Sequence, residues 1–153
     1  MHSLPAHLLA IAGAALGTPW LACHEARLLS KGTPLDPGLL DWARQSGIAN
    51  PGKARFLSTS VIPLPAPMFV RRFLDKRGFP CIHLAGLSLR NGIYLSDQLR
   101  DPNETVKHEL IHTRQYQQAG SIFEFLRRYL FQCLTDGYSD CEMEREARNE
   151  SRR

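Results

Sequence analysis

The chain has 153 residues, 43% of them hydrophobic and 22% charged, with a formal charge of +4 at pH 7. This composition reads as one globular domain that can bury a core without staples, and it excludes wholesale disorder. The four cysteines, Cys23, Cys81, Cys133 and Cys141, show no C-x-x-C spacing, which excludes zinc-ribbon and thioredoxin-like readings. They read as free thiols of a reducing, cytoplasmic compartment, with Cys133 and Cys141 close enough in sequence to meet across a helix turn.

In chain order, the segment from Leu8 to Leu21 is apolar and alanine-rich, and no charge follows until Glu25. Gly17-Thr18-Pro19-Trp20 is expected to break it, leaving it short of the ~20 residues that span a bilayer. It reads as a buried helix or a flank of the domain, with weak peripheral membrane contact as the other reading. A second helix is predicted from Trp20 to Leu29, ended by Gly32-Thr33-Pro34. Asp36 is placed to cap a third, with Pro37 in its first turn and Gly47 ending it after Ser46. Leu39, Leu40, Trp42 and Ala43 give that helix a core face.

The middle of the chain reads as the sheet region. Ala54 to Ile62 alternates loosely and carries β-branched residues, so a strand is expected. Pro63, Pro65 and Pro67 follow at every second position and limit the next stretch to an edge or an extended connection. Met68 to Leu74 fits either a short helix or a strand. Phe79 to Leu84 and Ser88 to Ser96 are the better strands, with Asn91-Gly92 as a tight turn or a bulge. Lys53, Arg55, Arg71, Arg72, Lys76 and Arg77 face only Asp75 in acid between 53 and 77, a basic patch that a binding module could use. No aromatic-interleaved basic stretch accompanies it, so no specific nucleic-acid partner is expected.

The strongest signal lies further on. His108-Glu109-Leu110-Ile111-His112 is an H-E-x-x-H pattern on a stretch that Asn103 is placed to cap and that no glycine or proline interrupts before Gln118. Residues four apart share a helix face, so both imidazoles can ligate one Zn²⁺, and Glu109 is left to take the proton of an attacking water. The bland alternative is an exposed helix with two solvated or core-capping histidines. Gly120 closes the helix, and Ser121 with Glu124 reads as a capping box for the next. Ile122, Phe125, Leu126, Tyr129, Leu130 and Cys133 form that helix's packing stripe, with Arg127 and Arg128 outside it. Gly137 permits a turn before a last helical stretch, and Tyr138 beside it is a candidate donor to a developing oxyanion, or simply a packing tyrosine.

A catalytic zinc needs a third protein ligand, and Asp140 to Arg148 supplies candidates. The H-E-[LI]-x-H pattern, a later Gly-Tyr and then E-x-E-A resemble a family of small bacterial zincin-like metallopeptidases. The resemblance extends upstream through Ile62 to Pro67, Ala85 to Leu89 and Gly92 to Leu95. It implies that His108 and His112 are zinc ligands, Glu109 the general base and Glu144 the third ligand, and that Ile93 to Leu95 is part of an edge-strand wall that holds peptide by strand addition. Two departures stand out: Cys141-Glu142 replaces a small-residue-plus-proline step, and Arg148 stands where the larger related group has an aspartate that partners a ligating histidine. From the residues alone Glu142, Glu144 and Glu146 compete as ligands. On a helix 142 and 146 share a face while 144 points nearly opposite, beside Met143 and Ala147, which favours Glu144 as the inward one.

The expectation is therefore a compact α+β, zincin-like domain over 1–153, mostly helical: an N-terminal helical part (1–50), a small sheet region (51–100) before the motif helix, and metal-binding helices (103–153). Its function would be zinc-dependent hydrolysis of a peptide or protein substrate. The rival is a non-catalytic metal-binding domain that docks through the basic patch. The sequence is silent on oligomeric state.

Overall fold

The computed structural model describes residues 3–66, 68–76, 78–81 and 83–153. Among the described residues there are six α-helices, α1 (Ser3–Lys31), α2 (Pro37–Gln45), α3 (Met68–Asp75), α4 (Asn103–Ala119), α5 (Ile122–Asp136) and α6 (Glu142–Ser151), and a four-stranded sheet. Its strands are β1 (Thr33–Pro34), β2 (Arg55–Thr59), β3 (Gly86–Leu89) and β4 (Gly92–Ser96), in the order β1-β2-β4-β3. β2 and β4 run parallel, and the other two pairs are antiparallel. The sheet precedes the motif helix, as expected.

The break expected at Gly17 to Trp20 does not occur: α1 runs on through Pro19. Pro19 has no N–H to give the Ala15 carbonyl; the Thr18 hydroxyl donates to the neighbouring Ala14 carbonyl at 2.6 Å, and the helix is carried past the gap by its packing. Ala10, Ala14, Leu21, Glu25 and Leu28 form one buried stripe. Beside it Gly13 and Gly17 let α5 approach closely, since a Cβ at Gly13 would lie 2.7 Å from Leu130 Cδ1. Tertiary contact has outweighed a local stop signal.

Two more expectations are corrected in the sheet. Phe79 to Leu84 is not a strand in its described residues. Pro80 lacks a ladder donor, and the Cys81 backbone is satisfied by α3 instead: Arg71 Nε donates to its carbonyl at 2.9 Å and Asp75 Oδ1 accepts its N–H at 3.2 Å. Pro67, Ile82 and Arg77 lie outside the described residues. Ser88 to Ser96 takes the tight-turn alternative and is a hairpin, but the turn falls at Arg90 and Asn91, one residue before the expected Asn91-Gly92. The left-handed residue is Arg90 (φ 66°), while Gly92 begins β4 because a Cβ there would lie 2.8 Å from Leu28 Cδ1. Met68 to Leu74, ambiguous in sequence, is helical.

The buried carboxylate of Glu25 holds that hairpin turn. It accepts from Arg90 Nε and Nη2 (3.0 and 2.6 Å), from the Asn91 backbone N–H (3.0 Å) and from Asn91 Nδ2 (3.1 Å). β4 then alternates between two cores. Ile93 and Leu95 join Leu39, Ala43, Val106 and Leu110 on one side, and Tyr94 joins Leu21, Leu28, Tyr116 and Phe125 on the other. α4 touches both clusters and is thereby clamped.

Of the predicted helix caps, Asp36 and Ser121 form and Asn103 does not, and the helix expected to start at Trp20 is part of α1. Asp36 accepts from the Leu39 N–H and Ser121 from the Glu124 N–H, as caps should. Glu124 does not complete the box but pairs with Arg127 and Arg128. At α4 the expected cap, Asn103, is the first helical residue, and Asp101 Oδ1 takes the Asn103 N–H at 2.9 Å.

Replacing Glu25 with Ala should strand the Asn91 N–H, while the half-exposed Arg90 guanidinium turns to water, and destabilise the fold by about 2 kcal/mol in urea unfolding, the scale for leaving a buried donor unsatisfied. A loss near zero would show that the turn holds itself.

Candidate metal centre

α4 sets His108 and His112 one turn apart with their Nε2 atoms 3.2 Å from each other. From α6, Glu144 reaches between them, with Oε1 3.2 Å from His112 Nε2 and Oε2 3.3 Å from His108 Nε2. The potential ligand atoms of the three residues all lie within 4.8 Å of one another. Glu144 is only 1% exposed, whereas Glu142 lies on the surface. Glu146 is engaged elsewhere, on Arg114 Nη2 and Gln115 Nε2, each at 2.6 Å.

The donor set fits a zinc ion. Two imidazole nitrogens and a carboxylate are a familiar ligand combination, and Glu144 Oε2 is a buried acceptor with no hydrogen-bond donor of its own. Gln115 prepares His112 for that role. Its Nε2 donates to the Met143 carbonyl and to Glu146, so its Oε1 must face His112 Nδ1, at 2.8 Å. An oxygen there can only accept, so the imidazole proton sits on Nδ1 and the Nε2 lone pair points at the centre. Gln115 thus does what the expected aspartate at 148 would have done. Arg148 instead donates to the Ser139 carbonyl and keeps a guanidinium nitrogen 4.0 Å from Glu144 Oε2.

Tyr129 is the second residue that sequence reading passed over. Its hydroxyl donates to Glu144 Oε1 at 2.6 Å and orients the carboxylate. In sequence it is one member of an apolar stripe, and only the phenol separates it from Phe125. Tyr138, singled out beforehand, lines the same cavity as the triad and is half-buried. Cys133 and Cys141 do meet, as free thiols with their sulfurs 3.7 Å apart at the entry to α6.

Glu109 stays outside the triad. It packs under β3, where a Cβ on Gly86 would lie 2.7 Å from its Oε1, with its carboxylate turned to the Ser88 backbone. This bears on strand addition. β4, which holds Ile93 to Leu95, is interior, so the expected edge wall is wrong; β3 is the edge strand beside α4. With Leu89 and Gly92 closing the hairpin, pairs alternate, and Gly86 and Ser88 turn their N–H and C=O groups away from β4. Ser88 is already used, by Glu109 and by the Tyr116 hydroxyl at 3.4 Å from its carbonyl.

A cavity of about 590 Å³ opens over the triad. Burial pushes the Glu109 carboxyl above the ordinary carboxylate range, against the pull of His112 and His108. Burial raises the Glu144 carboxyl too, but the imidazoles of His108 and His112 outweigh it and hold Glu144 well below that range. His112 is penalised by burial, yet Glu144 and Glu109 lift it to about 9. In the basic patch, Arg71 stands at this cavity, while Lys53 lines a separate depression with Arg44 and Asn50.

The triad and the small sheet ahead of its helix are consistent with a zincin-like metal site. No protein-family model, curated protein or solved structure matches the chain.

Without metal, the raised His112 value stabilises the fold fully below its ordinary 6.5, and that contribution is lost as pH rises through about 9. Metal must expel the same proton, so zinc affinity should fall about tenfold between pH 8 and pH 7 in a competitive titration. Affinity unchanged over that interval would show that His112 is not a ligand.

Proposed function

We propose that the protein is a zinc-dependent peptidase, of the small bacterial zincin-like kind its motifs resemble, working as one domain in a reducing, cytoplasmic setting. The observation that carries this reading is the separation of two kinds of carboxylate in one cavity. Glu144 joins the two histidines, and Glu109 lies beside them without joining. His108, His112 and Glu144 would hold the zinc. When bound, zinc would supply a Lewis acid that polarises the scissile carbonyl and acidifies water.

The chain's own residues do the rest. Glu109 takes a proton from the attacking water as its oxygen bonds to the carbonyl carbon. It then returns that proton to the amide nitrogen as the C–N bond breaks. Burial, which raises Glu109, suits it to both halves of that exchange. Tyr138 is proposed to donate its phenolic hydrogen to the developing oxyanion, a role its position in the cavity supports.

A weak peripheral membrane contact is proposed for the N-terminal half of α1. Leu4, Leu8 and Ile11 are exposed there along one stripe, and the helix is long and apolar enough to cross a membrane by length and composition. No specific nucleic-acid partner is proposed.

Glu109→Gln should keep zinc and lose at least about 10²-fold in peptide cleavage, the lower end of what general-base chemistry contributes. Glu144→Ala should lose zinc affinity first and activity with it. Gly86→Ala should resemble Glu109→Gln, because the new methyl displaces the Glu109 carboxylate and touches no ligand. Cleavage by Glu109→Gln at the parent rate would end the enzyme reading and leave a metal-binding domain. Undiminished zinc affinity in Glu144→Ala would end the ligand assignment.

A further inference from the structure

The walls of the cavity differ from its floor. Trp20 and Leu21 of α1, Leu84 and Leu87 at the β3 side, and Leu126 and Leu130 of α5 line it above the triad. Apart from His108, Glu109, His112 and Glu144, Arg71 is the only lining residue among those described that carries a charge. Its Nε is already committed to the Cys81 carbonyl. The apolar lining continues outward: Leu16 and Leu134 belong to it although they are 79% and 44% exposed. A volume of about 590 Å³ is in the range of sites that bind organic ligands, far more than water or an ion requires.

The sheet edge, by contrast, offers a substrate backbone little. Of the two outward-facing residues of β3, Ser88 turns its backbone to Glu109, whose carboxyl it lowers, and its carbonyl to the Tyr116 hydroxyl, which leaves Gly86. A peptide cannot be held here by an extended ladder, so its side chains must supply the binding energy.

We infer that the site selects peptides with bulky apolar side chains, Leu, Ile, Phe or Trp, beside the scissile bond, seated in the cavity that α1, α5 and the β3 side wall together, and excludes charged ones. This concerns the substrate chemistry of the peptidase proposed above and rests on that reading. A charged side chain entering the cavity would lose its hydration against a lining whose one charge outside the triad and Glu109, among the described residues, is Arg71, whereas a large apolar one is favoured by its burial.

Two measurements separate this inference from the reading beneath it. The first is cleavage of a mixed peptide library by zinc-loaded parent protein, where apolar residues should flank the cut with at least about tenfold preference in kcat/KM over Glu or Lys. The second involves no turnover: fluorescein-labelled Ala-Leu-Phe-Leu-Ala and Ala-Glu-Lys-Glu-Ala are titrated by anisotropy with zinc-loaded Glu109→Gln protein. The apolar peptide should bind at least about tenfold tighter. Leu16→Glu and Leu134→Glu, each introduced into that Glu109→Gln protein at a partly exposed position that should not disturb folding, should weaken it several-fold with zinc content intact. Cleavage that ignores side-chain type or favours charge would overturn the inference and leave the peptidase standing. Selective apolar binding without any cleavage by the parent would overturn the peptidase and uphold the cavity assignment. Equal binding of both peptides, or binding indifferent to Leu16 and Leu134, would also overturn the inference.

Discussion

A carboxylate cannot be buried cheaply, and Glu144 is almost completely buried. Everything around it answers that cost. One oxygen receives the Tyr129 hydroxyl from α5, both oxygens face imidazoles from α4, and Oε2 still lacks a hydrogen-bond donor. Three helices converge on this one side chain, so the packing of the C-terminal half at the same time assembles a group of ligands that could hold a cation. A zinc ion would remove the remaining deficit, and it would also replace the proton that His112 otherwise holds at neutral pH.

The second carboxylate depends on a different constraint. Glu109 fits under β3 only because residue 86 has no side chain, and its carboxylate is turned to the Ser88 backbone. The same contacts that aim the proposed base therefore close most of the β3 edge. That edge is itself held in place from the far side, where Glu25 of α1 grips the hairpin turn between β3 and β4. α1 therefore contributes twice, by fixing the strand behind Glu109 and by forming a wall of the cavity in front of it.

Much of the centre was legible beforehand because it rests on local periodicity. The i, i+4 spacing puts His108 and His112 together on any helix, and helical geometry alone turns Glu144 away from Glu142 and Glu146. Asp36, Gly47, Gly120 and Ser121 likewise act through their immediate neighbours. What escaped was set at long range. Pro19 reads as a stop until α5 packs along Gly13 and Gly17. Phe79 to Leu84 reads as a strand until Arg71 and Asp75 take the Cys81 backbone. Ile93 to Leu95 lie in β4, and which strand lies at the edge is a matter of sheet order, which residue type does not encode. Gln115 and Tyr129 escaped because an amide on a helix and a phenol in an apolar stripe become functional only when α6 brings Glu146, Met143 and Glu144 to them.

Zinc K-edge X-ray absorption on protein loaded with one equivalent of the metal tests the central claim most directly. The account predicts a first shell of nitrogen and oxygen at ~2.0–2.2 Å, with the outer scattering of two imidazoles. It predicts no sulfur, although Cys133 and Cys141 lie at the entry to the same helix. A sulfur shell at ~2.3 Å, or scattering from fewer than two imidazoles, would contradict it.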